Sequence, residues 1–354
     1  MSILDDIEKV RSVDPDNMYN AIFDLPEQMA EALKIARSWK FNRGDFADIK
    51  NIVVIGMGGS AIGGDLVRSL LSPMLLVPFE ICRNYTLPEY VDDETLVIVS
   101  SYSGNTEETL SALDDALNRK AMVAGITTGG VLSDVARLND FPLAIVPSGL
   151  QPRAALGYSF VPLLVFLEAI GLIKNVAGDI ENVISELKKY REDYIEDTPT
   201  ESNLAKRLAE KIQGRIAIVY GGPTLTSVVA VRWKGQFCEN AKNLAFANQY
   251  PEFNHNELVG WSETVKPFRE YLVVLQLRDK DDHPQVAKRM DIVKELIGEH
   301  KVEVIDVSSR GNSPLTRMFS LIQLGDFASY YLAVLNDIDP SPVKVIAALK
   351  NKLT

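Results

Sequence analysis

The sequence predicts an α/β fold of two similar doubly wound, parallel-sheet lobes, with helices at both ends of the chain. Short runs of β-branched apolar residues alternate with helical segments from Ile52 onward, which is typical of a parallel sheet covered on both faces. The same order of strand, glycine turn and helix begins again at Ile216, after a charged stretch. This repetition indicates two related lobes, as a duplication would produce.

The expected organisation has four segments. A helical N-terminal segment (1–48) precedes a first α/β domain (49–174), a helical linker (175–214) and a second α/β domain that ends in a helix (215–354). Strands are expected at residues 52–55, 75–80, 96–99, 122–126 and 143–146 in the first domain and at 216–220, 271–277 and 302–307 in the second.

Helices are expected between and after these strands. Pro162 is expected to open a buried apolar helix, and another helix is expected from Thr226 to about Phe246. The charged region 179–213 is typical of two helices, and the chain is expected to close with a helix over residues 342–353.

Composition limits the classes of function. The 354 residues are 46% hydrophobic and 24% charged, and the net charge of −11 disfavours nonspecific binding to nucleic acids or anionic membranes. Cys82 and Cys238 form no CxxC motif, and the charged first ten residues do not have the pattern of a signal peptide. The longest apolar run, 161–173, contains Glu168 and is too short to span a bilayer. A protein of the reducing cytoplasm is therefore expected.

Hydroxyl residues fill the stretch 100–106, here called the hydroxyl loop, between an expected strand and a helix that begins at Glu107. A loop in this place presents side-chain hydroxyls and the free N–H groups of a helix N-terminus to one point, where a phosphate oxyanion is stabilised. No lysine is required. The pattern predicts a phosphate site, although the same residue types also make ordinary turns.

A glycine turn (residues 56–64) follows the first expected strand. Because parallel strands end at one edge of their sheet, this turn and the hydroxyl loop are expected to converge on one ligand. The spacing of Gly56, Gly58 and Ala61 also fits a dinucleotide-binding loop, so a nicotinamide-dependent enzyme is an alternative. That alternative does not explain Ser60 or the second hydroxyl-rich loop.

Three further residues have both a functional and an ordinary interpretation. His255 lies in an irregular aromatic and polar segment (residues 249–261, the histidine loop), where a lone histidine is either structural or catalytic. Arg153 lies in an apolar-flanked loop, where its guanidinium either stabilises an oxyanion or pairs with a carboxylate. Glu239 points away from the apolar face of its expected helix, which is typical of a solvated charge.

Together these motifs resemble the bifunctional phosphoglucose/phosphomannose isomerases of the sugar isomerase (SIS) superfamily, which implies that both lobes are of the SIS type. The resemblance covers nearly the whole chain from Ile52 onward and follows the same motif order. It is carried by Gly58-Gly59-Ser60, the run SYSGNTEET at 101–109, Pro152-Arg153, Glu239-Asn240, the Asn254-His255-Asn256-Glu257 loop and the final Leu349-Lys350.

The resemblance implies a role for each matching residue. The sugar phosphate would be bound by Gly59, Ser60, Ser101, Ser103 and Thr106. The catalytic residues would be Arg153, facing the enediolate, Glu239, the base between C1 and C2, His255, which opens the sugar ring, and Lys350, which assists from the last helix. In this family the histidine enters from the neighbouring subunit, so a homodimer is expected. Lys344 is the alternative to Lys350.

The chemistry agrees with these residue types. An ordinary imidazole, with a pKa of about 6.5, is suited to ring opening, and a positioned carboxylate to proton transfer between C1 and C2. No metal or nucleotide is needed, and the sequence has no HExxH motif, so no cofactor is expected.

We therefore expect a cytoplasmic isomerase of carbohydrate metabolism, in glycolysis and gluconeogenesis, that interconverts glucose 6-phosphate and mannose 6-phosphate with fructose 6-phosphate. The expected partner is a small-molecule sugar phosphate, with no nucleic acid and no membrane. A non-catalytic sugar-phosphate-binding regulator is the alternative from a different class, because the hydroxyl loop binds phosphate without requiring turnover.

Overall fold

The structure, a computed structural model, describes residues 2–353 and forms two compact units. One unit consists of residues 24–185, and the other of the chain up to residue 23 together with the chain from residue 186 onward. Each unit is built on one parallel β-sheet. The predicted fold class of two parallel-sheet α/β lobes is therefore confirmed.

The helices have the following bounds. In chain order they are α1 Ile7–Ser12, α2 Met18–Phe23, α3 Leu25–Ser38, α4 Gly58–Leu71, α5 Glu107–Asn118, α6 Gly130–Leu138, α7 Leu156–Ala169, α8 Val176–Tyr190, α9 Leu204–Ile212, α10 Thr226–Glu239, α11 Pro284–Glu299, α12 Pro314–Leu335 and α13 Lys344–Leu353. The two helices expected in the charged region correspond to α8 and α9. Among the short 3-10 turns, Pro152–Ala154 and Glu252–His255 carry residues of interest.

The sheet of residues 24–185 has five parallel strands in the order β2-β1-β3-β4-β5. Its strands are β1 Asn51–Ile55, β2 Phe79–Cys82, β3 Thr95–Ser100, β4 Met122–Thr127 and β5 Leu143–Ile145. Every residue of β3 is buried, as expected for a central strand covered on both faces. The strand order reverses between β1 and β3, and such a switch point opens a crevice beyond the carboxyl ends of these two strands.

The sheet of the other unit has four parallel strands in the order β7-β6-β8-β9. They are β6 Ile216–Gly221, β7 Ala245–Gln249, β8 Leu272–Arg278 and β9 Glu303–Ser308. Helix α12 is long and apolar enough to cross a membrane, but 94% of its most apolar window is buried inside the protein. We interpret it as the core helix of this unit, since every residue from Leu315 to Val334 is buried.

Two expected elements have different bounds in the second unit. Helix α10 ends at Glu239, well before Phe246, and Ala245–Gln249 form the edge strand β7, which the sequence analysis did not predict. The cause is local: Lys242 has a φ of 50°, in the left-handed region that ends helices. The final helix begins at Lys344, two residues later than predicted, and ends at Leu353.

Two elements that contain or follow a proline also begin at residues other than those expected. Strand β2 begins at Phe79, immediately after Pro78, because a proline has no N–H to donate to a neighbouring strand. Pro162 lies inside α7 and does not open it, since the helix begins at Leu156. A proline inside a helix removes one backbone hydrogen bond and costs about 3 kcal/mol. Nearly all of α7 is buried, and we attribute the tolerance of Pro162 to the packing of these buried side chains.

The contact between α10 and α12 generates a stability prediction. A methyl group added at Gly325 would overlap the indole of Trp233, which is held in place because its Nε1 donates to the Leu321 carbonyl at 2.8 Å. Gly325→Ala is therefore expected to lower the free energy of unfolding by about 1–3 kcal/mol. Chemical denaturation measures this change.

The matched control is Gly235→Ala on α10. Apart from its chain neighbours and the nearby backbone of its own helix, no described atom lies within 4 Å of the methyl group that this substitution adds. We expect it to raise the free energy of unfolding by up to about 1 kcal/mol, because alanine is favoured over glycine within a helix. Equal effects of the two substitutions would contradict the packing described.

Candidate active site

The hydroxyl loop connects β3 to α5 at the carboxyl edge of the first sheet. Thr106 is the N-cap residue of α5, but its side chain makes no capping hydrogen bond. Instead, its Oγ1 accepts a hydrogen bond from Ser101 Oγ at 3.3 Å. The first N–H groups of α5 are thus not covered by the N-cap side chain, and they face the same end of the helix as the hydroxyls. This arrangement suits a phosphate group.

The neighbouring turn between β4 and α6 holds the hydroxyl loop in place. The Thr128 amide donates to the Tyr102 carbonyl and the Leu132 amide donates to the Gly104 carbonyl, both at 3.0 Å. Gly104 has a φ of 68°, and a methyl group at this position would overlap the Gly129 carbonyl oxygen. The loop conformation therefore requires glycine here, for both backbone and steric reasons.

The glycine turn contacts the hydroxyl loop through Ser60. The Ser100 hydroxyl donates to the Ser60 carbonyl at 3.2 Å, and the Tyr102 amide donates to Ser60 Oγ at 3.1 Å. Because Ser60 Oγ is the acceptor in this bond, its own hydrogen remains available as a donor. The two strand-end loops therefore contact each other, and their convergence on one ligand stays a prediction.

The glycine turn also contacts the segment that carries Arg153. A methyl group added at Gly59 would lie 2.7 Å from the backbone of Pro152 and 2.8 Å from the amide nitrogen of Arg153. Only glycine permits so close a backbone approach. Arg153 itself is 3% exposed, although a buried guanidinium is costly unless it is paired. Five predicted binding residues and Arg153 therefore lie on adjoining segments of one unit.

Glu239 is the last residue of α10 in the other unit, and it is half-buried, which differs from a fully solvated charge. A carboxylate at a helix C-terminus is disfavoured by the helix dipole by about 0.3–1 kcal/mol. Gln236, one turn earlier, and Arg232, two turns earlier, both donate to the buried Asp326 carboxylate at 2.7 Å. Burial raises the pKa of Asp326 even though Arg232 opposes the shift. This buried network fixes the end of the helix that carries Glu239.

Aromatic side chains anchor the histidine loop to the second unit. The Tyr220 hydroxyl donates to the Glu257 carboxylate and accepts from Trp261 Nε1 at 2.9 Å. The other oxygen of Glu257 accepts from Asn248 Nδ2 at 2.6 Å. Phe253 stacks on the Tyr220 ring with centroids 4.1 Å apart. Burial and the Glu257 charge raise the pKa of Tyr220, so the phenol remains a donor.

His255 lies beside the anchored part of the histidine loop. It ends the 3-10 turn Glu252–His255, is exposed, and lies two residues after the fully buried Phe253. The histidine loop is therefore held in place by its buried aromatic contacts, whereas the His255 imidazole is accessible. The sequence analysis located this loop by its aromatic and turn-forming residues but not the roles of Tyr220 and Trp261.

Helix α13 carries both candidate lysines. None of its residues is buried, and its apolar side chains Ile346, Leu349 and Leu353 are 44%, 59% and 69% exposed. Lys344 and Lys350 are both exposed. Burial alone therefore does not distinguish between the two lysines.

Comparison with known proteins identifies the family. A model of the bacterial phospho-glucose isomerase C-terminal SIS domain matches residues 201–353, and a SIS domain model matches residues 45–172. A bifunctional phosphoglucose/phosphomannose isomerase of Caldicellulosiruptor bescii is 48% identical over 336 residues, covering 95% of this chain and 98% of that protein. The chain belongs to the bifunctional phosphoglucose/phosphomannose isomerase family.

Other relatives agree with membership of this isomerase family. The protein of the same description from Aquifex aeolicus is 37% identical and covers 89% of this chain and 94% of its own length. The crystal structure of a hypothetical protein from Thermus thermophilus matches this chain with a TM-score of 0.74 at 17% identity. The match covers 98% of this chain and 93% of the Thermus chain. That structural likeness shows the fold alone.

Family membership disfavours the nicotinamide alternative. Among residues 2–353, no group of three or more His, Cys, Asp or Glu side chains is arranged to hold a metal ion.

In the second lobe of this isomerase, charged side chains occupy the sheet edge that corresponds to the position of the hydroxyl loop. Strand β8 corresponds to β3, because each pairs with the first strand of its sheet on the side opposite the second strand. After β8, Asp279 accepts from Arg317 Nε at 2.8 Å and from the Ser309 hydroxyl at 2.6 Å. Arg317 also pairs with Asp281 at 2.5 Å. Burial raises the pKa of Asp282, which packs against Gly222. Carboxylates occupying this edge repel a phosphate.

This asymmetry predicts one phosphate site per chain, on the hydroxyl loop. Thr106→Val keeps the side-chain shape but removes the hydroxyl, so affinity for inorganic phosphate is expected to fall by about tenfold or more. Thr224→Val removes an exposed hydroxyl from the turn that follows β6 in the second lobe and is expected to leave that affinity unchanged. Calorimetric titration with inorganic phosphate measures both affinities, and a stoichiometry of two would contradict the prediction.

Proposed function

We propose that this chain interconverts glucose 6-phosphate and mannose 6-phosphate with fructose 6-phosphate by moving a proton between C1 and C2 through an enediolate. The observation that carries the proposal is the juxtaposition of the hydroxyl loop, the uncapped N-terminus of α5 and the Arg153 segment at one sheet edge. An anion-binding end and a cationic residue are thereby combined in one unit. Their chemistry suits a phosphorylated sugar that becomes negatively charged at its other end.

The phosphate serves to position the substrate. It is bound equally in the ground state and the transition state, so Ser101, Ser103 and Thr106 contribute alignment rather than a faster chemical step. Ser60 and the Gly59 backbone lie beside this loop and are proposed to contact the sugar.

Catalysis then requires three kinds of group. His255 is proposed to move protons during ring opening, and Glu239 to take a proton from one carbon and return it to the next. Arg153 is proposed to stabilise the enediolate oxygen, an effect worth about 3 kcal/mol for one preorganised donor. Removing the C2 proton makes that carbon planar, and one base serves both the glucose and the mannose epimer when the bound chain rotates to present either face of C2 to it. Neither a metal nor a nucleotide has a role in this scheme.

The proposed active unit is a homodimer in which His255 acts in the partner's site. Two observations support this: the imidazole is exposed on an anchored loop, and Val259 in the same loop is 79% exposed. An exposed apolar side chain on a rigid loop is typical of a surface that another chain covers. The free thiols of Cys82 and Cys238 are consistent with our proposal that the protein acts in the cytoplasm.

Helical geometry favours Lys350 over Lys344 as the assisting lysine. With 3.6 residues per turn, Lys350 lies at the margin of the α13 face formed by Ile346, Leu349 and Leu353, whereas Lys344 lies on the opposite face. If this exposed apolar face docks on a protein surface, Lys350 is carried to the edge of the contact and Lys344 remains in solvent.

The first prediction of this proposal tests Glu239 as the catalytic base. Glu239→Gln is expected to reduce kcat by at least about a thousandfold while leaving the affinity for inorganic phosphate unchanged, because the proton acceptor is lost but the phosphate loop is not altered. Glu299→Gln is the matched control, since Glu299 is the last residue of α11 in the same unit and is exposed. A coupled assay with fructose 6-phosphate in the presence of a chelator measures both variants. Full activity of Glu239→Gln would show that its carboxylate is only a structural charge.

The second prediction tests the shared site. His255→Ala and Glu239→Gln are each expected to be inactive as homodimers. Subunits of the two variants, when mixed and allowed to exchange, are expected to recover about one quarter of wild-type activity, because half of the random dimers are mixed and one of their two sites is intact. No recovery after verified exchange would place His255 and Glu239 in the same subunit's site.

The third prediction separates the two lysines. Lys350→Met is expected to lower kcat by about tenfold to a hundredfold, whereas Lys344→Met on the same helix is expected to retain wild-type kcat. Both substitutions keep an unbranched side chain with high helix propensity. The reverse pattern would assign the role to Lys344.

A further inference from the structure

Tyr102 lies in the first half of the hydroxyl loop, and its side chain has no part in the proposed chemistry. Its backbone amide donates to Ser60 Oγ at 3.1 Å, and its carbonyl accepts from the Thr128 amide at 3.0 Å. The backbone of Tyr102 is therefore fixed between the glycine turn and the turn after β4. Its side chain is free to act on a third segment.

The phenol of Tyr102 reaches the chain that leads to Arg153. Its hydroxyl donates to the Pro147 carbonyl at 2.9 Å and accepts from the Leu150 amide at 3.2 Å. These two bonds bracket a short turn that contains Gly149, whose φ is 102°. The turn between β5 and Arg153 is thereby held to the phosphate-binding loop.

The Arg153 segment is then fixed from two sides. The Tyr102 phenol binds the chain before it, and the Gly59 backbone packs against Pro152 and the Arg153 amide nitrogen. Burial raises the pKa of the Tyr102 phenol, so the hydroxyl remains protonated and continues to donate at neutral pH. A phenylalanine ring would fill the same space without either hydrogen bond.

We propose that Tyr102 is a positioning residue that sets the spacing between the phosphate-binding hydroxyl loop and Arg153. This inference rests on the proposed function, in which the two ends of one sugar phosphate meet these two segments. The spacing determines whether a substrate held by its phosphate presents its developing oxyanion to the guanidinium. A misplacement of about 1 Å between such groups costs up to about a hundredfold in rate.

Two inhibitors distinguish positioning from simple structural support. Inorganic phosphate needs only the hydroxyl loop, whereas 5-phosphoarabinonohydroxamate carries both a phosphate and a mimic of the enediolate. Tyr102→Phe is expected to leave the inhibition constant of inorganic phosphate within about twofold of wild type. It is expected to raise the inhibition constant of the hydroxamate by about tenfold and to lower kcat by a similar factor.

The matched control is Tyr90→Phe in the same unit. Its hydroxyl donates to Glu80 at 2.5 Å, so this variant also removes a phenol–protein hydrogen bond. Neither inhibition constant nor kcat is expected to change. A second variant, Gly149→Ala, strains the bracketed turn through its positive φ without an atomic overlap, and it is expected to reproduce the pattern of Tyr102→Phe. It decides the question if Tyr102→Phe does not fold.

Three results would overturn the inference: unchanged hydroxamate inhibition, equal weakening of both inhibitors, or weakening of phosphate alone. The wild type gives a separate test of the proposed function. If wild-type enzyme binds the hydroxamate no more tightly than inorganic phosphate, the proposed role of Arg153 is wrong, whatever Tyr102 does.

Discussion

The proposed anion-binding edge of the first unit depends on one steric constraint, the close approach of Gly59 to the backbone of Pro152 and Arg153. A Cβ atom at residue 59 would lie 2.7 Å from that backbone, so the approach exists only because the side chain is absent. The hydroxyl loop is bound to the same turn through Ser60. Three segments that are distant in sequence are therefore fixed relative to one another before any ligand arrives, and such preorganisation is what positioning and electrostatic stabilisation require.

The two lobes share a topology but differ in the chemistry of their strand ends. The first lobe presents hydroxyls and free N–H groups at its switch point, and both suit an anion. The second lobe closes the equivalent edge with the buried pair of Asp279 and Arg317. The second lobe also carries two residues with different proposed tasks, Glu239 at the end of α10 and His255 on an anchored loop. The two lobes thus have different proposed tasks: the first binds the phosphate and supplies Arg153, and the second supplies Glu239 and His255.

Much of the fold follows from local sequence signals, whereas the exceptions have tertiary causes. Strand–turn–helix repeats predicted both sheets, because buried parallel strands are short β-branched runs. The edge strand β7 was missed because its residues continue an apolar pattern that Lys242 interrupts. Helix α12 carries no clear period because it is buried on all sides. The loops of the candidate site were found from their residue types, but the contacts of Tyr102 and Tyr220 join segments far apart in sequence, and no local pattern reports them.

The central claim is that one phosphorylated sugar spans the hydroxyl loop and Arg153. A crystal structure of the enzyme with 5-phosphoarabinonohydroxamate bound tests it most directly. We expect the phosphate within hydrogen-bonding distance of Ser101, Ser103 and Thr106, and the hydroxamate oxygens of the same molecule against the Arg153 guanidinium. A phosphate bound outside the hydroxyl loop, or a hydroxamate directed away from Arg153, would contradict it.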